Sequence, residues 1–328
     1  MTPPSGRISR RAFVTAAAAL AAGGCRPRRY RPGDFARPAE SPVALIAAPH
    51  YGVDLADLIT RGLRTLDVDL SGARVLLKPN LVEFEPESVI NTHPAVIGGA
   101  AVACRRLGAR EVVVAEGPGH RRDLEYLLAS TRTLPVLRDE RLPFVDLNHD
   151  DVAAVPLRTW YTDLGTLALP QAVLDADVIV SLPKLKTHHW AGVTCAMKNL
   201  FGVVPGAVYG WPKNVLHFKG IGESILDIVA TVRPHLAIVD GIVGMEGDGP
   251  ILGTPRTAGG LIRGRAVGAV DATAARVMAL RPEGIGYLSE AARFLGHMEA
   301  ARIPMRGERL ERFVTPFRVL PAFEELRA

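Results

Sequence analysis

The chain has 328 residues, 48% of them apolar and 22% charged, with a formal net charge of +5. Those values exclude a disordered or collagen-like polymer and leave room for one large or two medium domains with a sizeable core. Arg7, Arg10 and Arg11 lie in a leader expected to be removed, and four more arginines crowd 26–31. The globular remainder is therefore close to neutral, which gives no reason to expect nucleic acid as a partner. No run of about 20 apolar residues follows Cys25, so no transmembrane helix is expected.

Residues 1–25 read as an export address. S-R-R-A-F-V (9–14) resembles a twin-arginine signal, and an Ala-rich apolar run to Ala22 follows it. G-G-C (23–25) closes the run in the manner of a lipoprotein cleavage site, with Ala22 where such sites usually carry Leu. The expected partner during export is the twin-arginine translocase. The expected location is extracytoplasmic or periplasmic, with membrane contact only through a lipid on Cys25. Beyond Cys25 the sequence holds only Cys104 and Cys195. Two thiols cannot hold a four-cysteine iron–sulfur cluster or a four-cysteine zinc site.

Residues 26–42 are rich in Pro and Arg without apolar period and read as a tether. From Val43 short apolar runs alternate with helical patterns. Strands are expected at 43–48, 74–77, 111–115, 178–182, 236–239 and 257–262. Helices are expected at 54–66, 94–107, 221–232 and 266–280, the second capped by Asn91 or Thr92 and closed by Gly108. The stretch 130–170 has broken apolar pieces among Asp, Arg and Pro and reads as a partly antiparallel insertion. The fold class is α/β: a mostly parallel sheet with helices on both faces, spanning 43–300. The extension 301–328 carries Phe313, Phe317 and Phe323 and is expected to pack on the body.

Charged groups recur just past the expected strand ends, where open α/β sheets bind ligands. The densest run is K-L-K-T-H-H (184–189) after Pro183, continued by Gly192, Thr194, Lys198 and Asn199. Its lysines and histidines repel one another and call for an anion, a carboxylate or a metal between them. The alternative is a solvated basic loop. Lys78-Pro79-Asn80 and E-G-P-G-H (116–120) follow two other strands. They read either as ligand-binding corners or as plain turns. His93 reads as structural in preference to a ligand. The Gly-rich stretch 240–250, with Asp240, Glu246 and Asp248, reads three ways: oxygen ligands for a divalent cation, carboxylates facing the basic run, or a solvated acidic loop. Asp271 is an acid in an otherwise apolar helix. No phosphate-loop spacing, G-x-S-x-G or H-E-x-x-H is present.

The ordered set V-L-L-K-P-N-L-V (75–82), V-V-V-A-E-G-P-G (112–119), D-V-I-V-S-L-P-K-L-K-T-H (177–188), G-V-T-C-A-M-K-N-L-F-G (192–202), A-I-V-D-G-I-V-G-M-E-G-D-G-P (237–250) and A-V-D-A-T-A-A-R (269–276) resembles domain-of-unknown-function family 362. The resemblance implies a shared fold and no assigned activity. Many relatives carry C-x-x-C runs in an attached ferredoxin-like domain; this chain lacks them, so electron transfer is not carried over. A shorter similarity joins His188-His189-Trp190-Ala191-Gly192 and Lys198 to the H-[aromatic]2-A-G-…-R-K stretch of nickel-pincer lactate racemases, departing at His189. It implies His188 as an acid/base group and Lys198 as a ligand-contacting cation.

The expected site follows. His188, Lys184 and Lys198 are the catalytic candidates. Lys78, Asn80, Glu116, Lys186, Thr194 and Asn199 bind a small anionic ligand, while His189, Asp240 and Glu246 take a divalent metal. The expected function is an enzyme acting on a small anionic substrate, by racemisation, isomerisation or metal-assisted chemistry. The alternatives are a binding protein for an anionic metabolite or metal and an accessory subunit of a redox complex. For the leader, the expectation is that Arg10→Lys with Arg11→Lys leaves the full-length precursor in the cytoplasm. Fractionation and immunoblotting check this, and unchanged export would refute the twin-arginine reading.

Overall fold

Alternate residues of the central strands face opposite ways, and this is what builds the architecture. The structure is a computed structural model that describes residues 28–120 and 123–328; the expected leader and Cys25 lie outside them. In strand β2 (Arg74–Pro79), Val75 and Leu77 join one apolar layer while Leu76 joins the other. The sheet is thus buried on both faces, as parallel sheets are.

One layer is made by α1 (Leu55–Arg64) and α2 (Pro94–Arg106), through residues such as Ile59, Leu63, Ile97 and Cys104. Asp54 caps α1 by accepting from Asp57 N at 2.8 Å. The cap of α2 is His93, which accepts from Ala95 N at 3.2 Å, with Pro94 at the first turn. Neither Asn91 nor Thr92 serves as that cap. Thr92 Oγ1 instead donates to Leu182 O at 2.6 Å and accepts from Asn80 N at 2.9 Å, tying neighbouring strand ends together.

The remaining elements follow β1 (Val43–Ala47) and β2 in order. They are β3 (Glu111–Glu116), α3 (Leu124–Ser130), α4 (Thr133–Asp139), β4 (Phe144–Asp146), β5 (Val152–Pro156), β6 (Thr166–Pro170), α5 (Gln171–Leu174) and β7 (Val178–Leu182). Next come β8 (Lys184–His188), β9 (Gly192–Thr194), α6 (Ala196–Asn199), α7 (Gly206–Tyr209), α8 (Asn214–Phe218), α9 (Ile221–Val232) and β10 (Leu236–Glu246). The chain ends with β11 (Thr254–Gly264), α10 (Val267–Val277), α11 (Gly286–Ala291) and β12 (Met305–Gly307). Residues of α9, α10 and α11 fill the second layer.

The main sheet runs β12-β1-β11-β10-β7-β2-β3-β4. From β10 to β4 every pairing is parallel, and β11 runs antiparallel to both β10 and β1. Hence β2, β3, β7 and β10 are aligned, and Lys78, Glu116, Leu182 and Asp240 fall toward one end. β5 and β6 form a separate antiparallel ribbon inside the expected insertion.

Three further expectations are corrected. The basic run at 184–188 is no loop but strand β8, paired in parallel with β10 and antiparallel with β9. The Gly-rich stretch after 239 continues as strand to Glu246, against β11. Gly241 permits this, since a Cβ there would meet Gly260 O at 2.9 Å. The stretch expected as a tether is docked where the structure describes it, with Tyr30 buried and stacked on Phe294 at 4.2 Å. Phe313 and Phe317 of the C-terminal stretch are buried in the second layer. No helix of the described residues is long and apolar enough to cross a membrane.

The loop between β5 and β6 is fixed by one buried acid of α9. Asp227 accepts from Thr159 Oγ1 at 2.5 Å, Tyr161 N at 3.0 Å, and Thr162 N and Oγ1 at 2.7 and 2.6 Å. Removing it strands four donors at once. Asp227→Ala is expected to cost about 3 kcal/mol or more, and Asp227→Asn less, in urea unfolding. Equal stability of Asp227→Ala and wild type would refute this.

Candidate active site

Lys184, Lys186 and His188 sit at alternate positions of β8 and so share one face of the strand. All three are buried, which removes the solvated-loop reading. Lys186 and His188 line a cavity of about 440 Å³ at the carboxyl ends of the parallel strands. Lys78, Asn80, Glu116, His189, Thr194, Lys198 and Asn199 also line it. Three expected residues do not: Lys184, Asp240 and Glu246.

Beneath the cavity lies a closed ion pair. Lys78 Nζ donates to Glu116 Oε2 at 2.7 Å, Pro79 O at 2.7 Å and Asn199 Oδ1 at 3.2 Å, which uses all three of its protons. Glu116 also accepts from Leu81 N and Gly117 N, each at 2.9 Å. Asn199 Nδ2 returns bonds to Lys78 O at 2.9 Å and Ser181 Oγ at 3.0 Å. Gly202 gives the pair its room: a Cβ there would lie 2.0 Å from Glu116 Oε1 and 2.5 Å from Lys78 Nζ.

Lys184 belongs to a second closed cluster. Its Nζ donates to Asp240 Oδ2 at 2.6 Å, Tyr51 Oη at 3.0 Å and Val243 O at 3.2 Å. Tyr51 Oη donates to Asp240 Oδ1 at 3.0 Å, and His93 N donates to Asp240 Oδ2 at 2.9 Å. The His93 ring stacks on Tyr51 at 3.7 Å, the structural role expected for it. Glu246 is bound by Arg318, whose Nε donates at 2.7 Å and whose backbone N donates at 2.9 Å. His189 faces Asp248 at 3.3 Å. The proposed metal trio is therefore three separate contacts. Among the described residues no group of three or more His, Cys, Asp or Glu is placed to hold a metal. Of the acidic wall expected from 240–246, Asp240 does meet the basic run, at Lys184, but outside the cavity, and Glu246 binds Arg318.

The cavity is left with three lysines that no carboxylate answers. Lys186 Nζ donates only to backbone, Ile90 O at 2.8 Å and Pro250 O at 3.3 Å. Lys198 Nζ lies 4.3 Å from the centre of the Phe201 ring. Lys213, which sequence reasoning missed, is buried and donates to Gly117 O at 2.7 Å and Phe201 O at 2.8 Å. It sits in a turn after Pro212 with no strand-end signal to mark it. No salt bridge among the described residues engages Lys186, Lys198 or Lys213. Two polar atoms in the cavity wall, Asn80 Oδ1 and Thr194 Oγ1, are buried with no hydrogen-bonding partner among the described residues.

Desolvation drives the titration of these groups. Burial, then the charge of Lys78, pushes Lys198 down to about 8. Burial pushes Lys213 down to about 7, opposed by Glu116. Burial and then Lys184 and Lys198 hold Lys186 far below the ordinary lysine range. Burial followed by Lys198 holds His188 neutral. His188 Nδ1 accepts from Trp190 N at 3.0 Å and Ala191 N at 3.2 Å, so the proton of the neutral ring is on Nε2.

Asp271 caps α6, accepting from Ala196 N at 2.7 Å and Met197 N at 3.1 Å, and thereby fixes Lys198 and Asn199 from behind. Burial raises it to about 7. Cys104 and Cys195 are both buried with their thiols pushed up by desolvation, so neither is a ready nucleophile.

Fold and cavity together define an α/β protein with a cationic site at the carboxyl ends of a parallel sheet. The chain belongs to the family described as "Domain of unknown function (DUF362)", whose model matches residues 75–276. A relative from Synechocystis sp., named "Thylakoid-associated protein sll1697", is 32% identical over 220 residues, covering 65% of each chain. This chain thus spans just under two thirds of that relative's length. Two solved structures are distantly similar. The lactate racemase apoprotein from Thermoanaerobacterium thermosaccharolyticum has a TM-score of 0.39 and 12% identity, over 66% of this chain and 54% of that one. A protein from Thermotoga maritima has a TM-score of 0.37 and 14% identity, over 65% of this chain and 55% of that one.

The lysine shifts fix a sign. Lys198 and Lys213 titrate lower in the folded chain than the unfolded value of about 10.4, so folding sheds protons. Their contribution makes stability rise with pH from about 7 toward 10. An anion in the cavity favours the charged forms. Inorganic phosphate is therefore expected to raise Tm more at about pH 6.5 than at about pH 9, by calorimetry. Equal shifts at both pH values would count against the cavity as the binding site.

Proposed function

We propose that the chain is an enzyme acting on a small organic anion bound in the strand-end cavity. The observation that carries this reading is the charge balance: Glu116 neutralises Lys78, while Lys186, Lys198 and Lys213 face the same space without a carboxylate partner. In their protonated forms such lysines are costly to bury unless a ligand answers them, and an anion in the cavity favours those forms. The unpartnered Asn80 Oδ1 and Thr194 Oγ1 ask for further contacts to the same ligand.

Lys186 and Lys198 hold the anionic group. His188 donates from Nε2 to an oxygen on which charge develops, the role of a neutral imidazole acting as electrophile. This replaces the proton-accepting half of the acid/base role expected of it, because Nδ1 is already occupied by two backbone N–H groups. Lys78, Glu116 and Asn199 position the wall. Trp190 and Leu252, both exposed at the rim, contact an apolar part of the ligand. The twin-arginine-like leader supports an extracytoplasmic setting for this reaction.

The competing reading is a binding protein with the same cavity and no chemistry. Calorimetric titration with a panel of small organic acids, paired with proton NMR in D₂O, separates the two. The enzyme reading expects saturable binding and exchange or conversion at carbon. It further expects Lys198→Met to weaken binding by about 10- to 100-fold, the value of one charge-assisted contact. His188→Ala should retain most affinity and lose turnover by about 100-fold or more. Binding without chemistry would establish the binder; no saturable binding of any acid would remove both readings.

A further inference from the structure

Lys213 reaches the cavity from the turn before α8, whereas Lys186 comes from β8 and Lys198 from α6. Both of its hydrogen bonds go to backbone carbonyls, Gly117 O at 2.7 Å and Phe201 O at 2.8 Å. A neutral primary amine has two N–H donors and one lone pair. Here the two carbonyls take both donors of a neutral amine and leave its lone pair for the cavity; Lys186 shares this pattern through Ile90 O and Pro250 O, so an adduct on Lys186 is the competing outcome. An ammonium in the same place would carry a third proton with no carboxylate to receive it.

Lys213 has φ 66° and is one of seven non-Gly residues with positive φ among the described residues, so the left-handed backbone shapes its turn without by itself marking a site. Burial, with the charges of Lys78 and Lys198 nearby, brings the amine to about 7 against the opposing charges of Glu116 and Asp146. A buried lysine beside other cations is one of the established ways to make an amine nucleophilic at neutral pH.

The cavity therefore offers two chemistries, cations for a carboxylate and a free amine for a carbonyl. We propose that Lys213 condenses with the keto group of a small 2-oxo acid whose carboxylate rests on Lys186 and Lys198. The inference rests on the anion-binding reading of the cavity and adds the substrate class and the nucleophile to it. The step needs no redox partner. The Lys213 nitrogen adds to the carbonyl carbon and forms a C–N bond. The carbonyl oxygen then leaves as water with both amine protons, and a C=N bond remains.

The test uses the full chain with pyruvate, or glyoxylate, and sodium cyanoborohydride, followed by peptide mapping by mass spectrometry. One reduced adduct is expected, on Lys213, with a rate that saturates in pyruvate. Lactate, an anion of similar size without the carbonyl, should compete. The rate should climb between about pH 6 and about pH 8 as the amine loses its proton among Lys78, Lys198, Glu116, Asp146 and His217. Lys213→Arg should abolish the adduct. If that variant does not fold, the map of the wild type decides alone. Adducts on Lys186 or Lys198 instead, or with unsaturable kinetics on the exposed Lys219, overturn the proposal. Lactate and pyruvate binding without a Lys213 adduct also overturns it and leaves the anion cavity standing. Failure of both acids to bind removes the cavity reading with it.

Discussion

The ion pair between Lys78 and Glu116 is the contact on which the site depends. It joins the ends of two adjacent parallel strands, and Asn199 ties it to α6. A buried pair is a poor source of net stability, because desolvation offsets most of the attraction. Removing one partner is another matter, costing about 3–5 kcal/mol by leaving a charge unanswered. The pair therefore acts as a lock on geometry, and Gly202 is small because the lock leaves no space for a Cβ.

Around that lock the protein sorts its lysines into two kinds. Lys78 and Lys184 have carboxylates and full sets of acceptors, and they hold strands and loops together. Lys186, Lys198 and Lys213 have neither, and all three face one cavity. The second group is held below the ordinary lysine range chiefly by burial. Such an arrangement costs folding energy in the free protein and returns it when an anion arrives, which is how a binding site differs from a structural pair. His188 fits the same scheme, since its backbone contacts fix a neutral ring with an outward N–H.

Much of the scaffold was legible because it rests on local pattern. Short apolar runs at 43–48, 74–77, 111–115 and 178–182 and the helix at 221–232 agree closely with the observed elements. Parallel alternation then implied that Lys78, Glu116 and the basic run share an end. The misreadings have one cause. K-L-K-T-H and the Gly-rich stretch after 239 look like loops because their charges and glycines are unfavourable in an isolated strand. Pairing between β8 and β10, and between β10 and β11, supplies the missing backbone partners. Lys213 and His217 carried no signal, because nothing in a turn before a short helix announces that it folds over a strand-end cavity.

The sequence by itself determined the parallel sheet, its two buried faces and the gathering of charged residues at the strands' carboxyl ends. Those follow from apolar periodicity and from the handful of ways such strands can be connected. Only the tertiary structure decided which acid meets which lysine. Asp240 meets the basic run as expected, at Lys184, but away from the cavity, and Glu246 pairs with Arg318 instead. Charge pairing depends on contacts of a few ångströms between residues dozens of positions apart. That partition, leaving three lysines unpaired in one space, turns a basic stretch of sequence into a candidate active site.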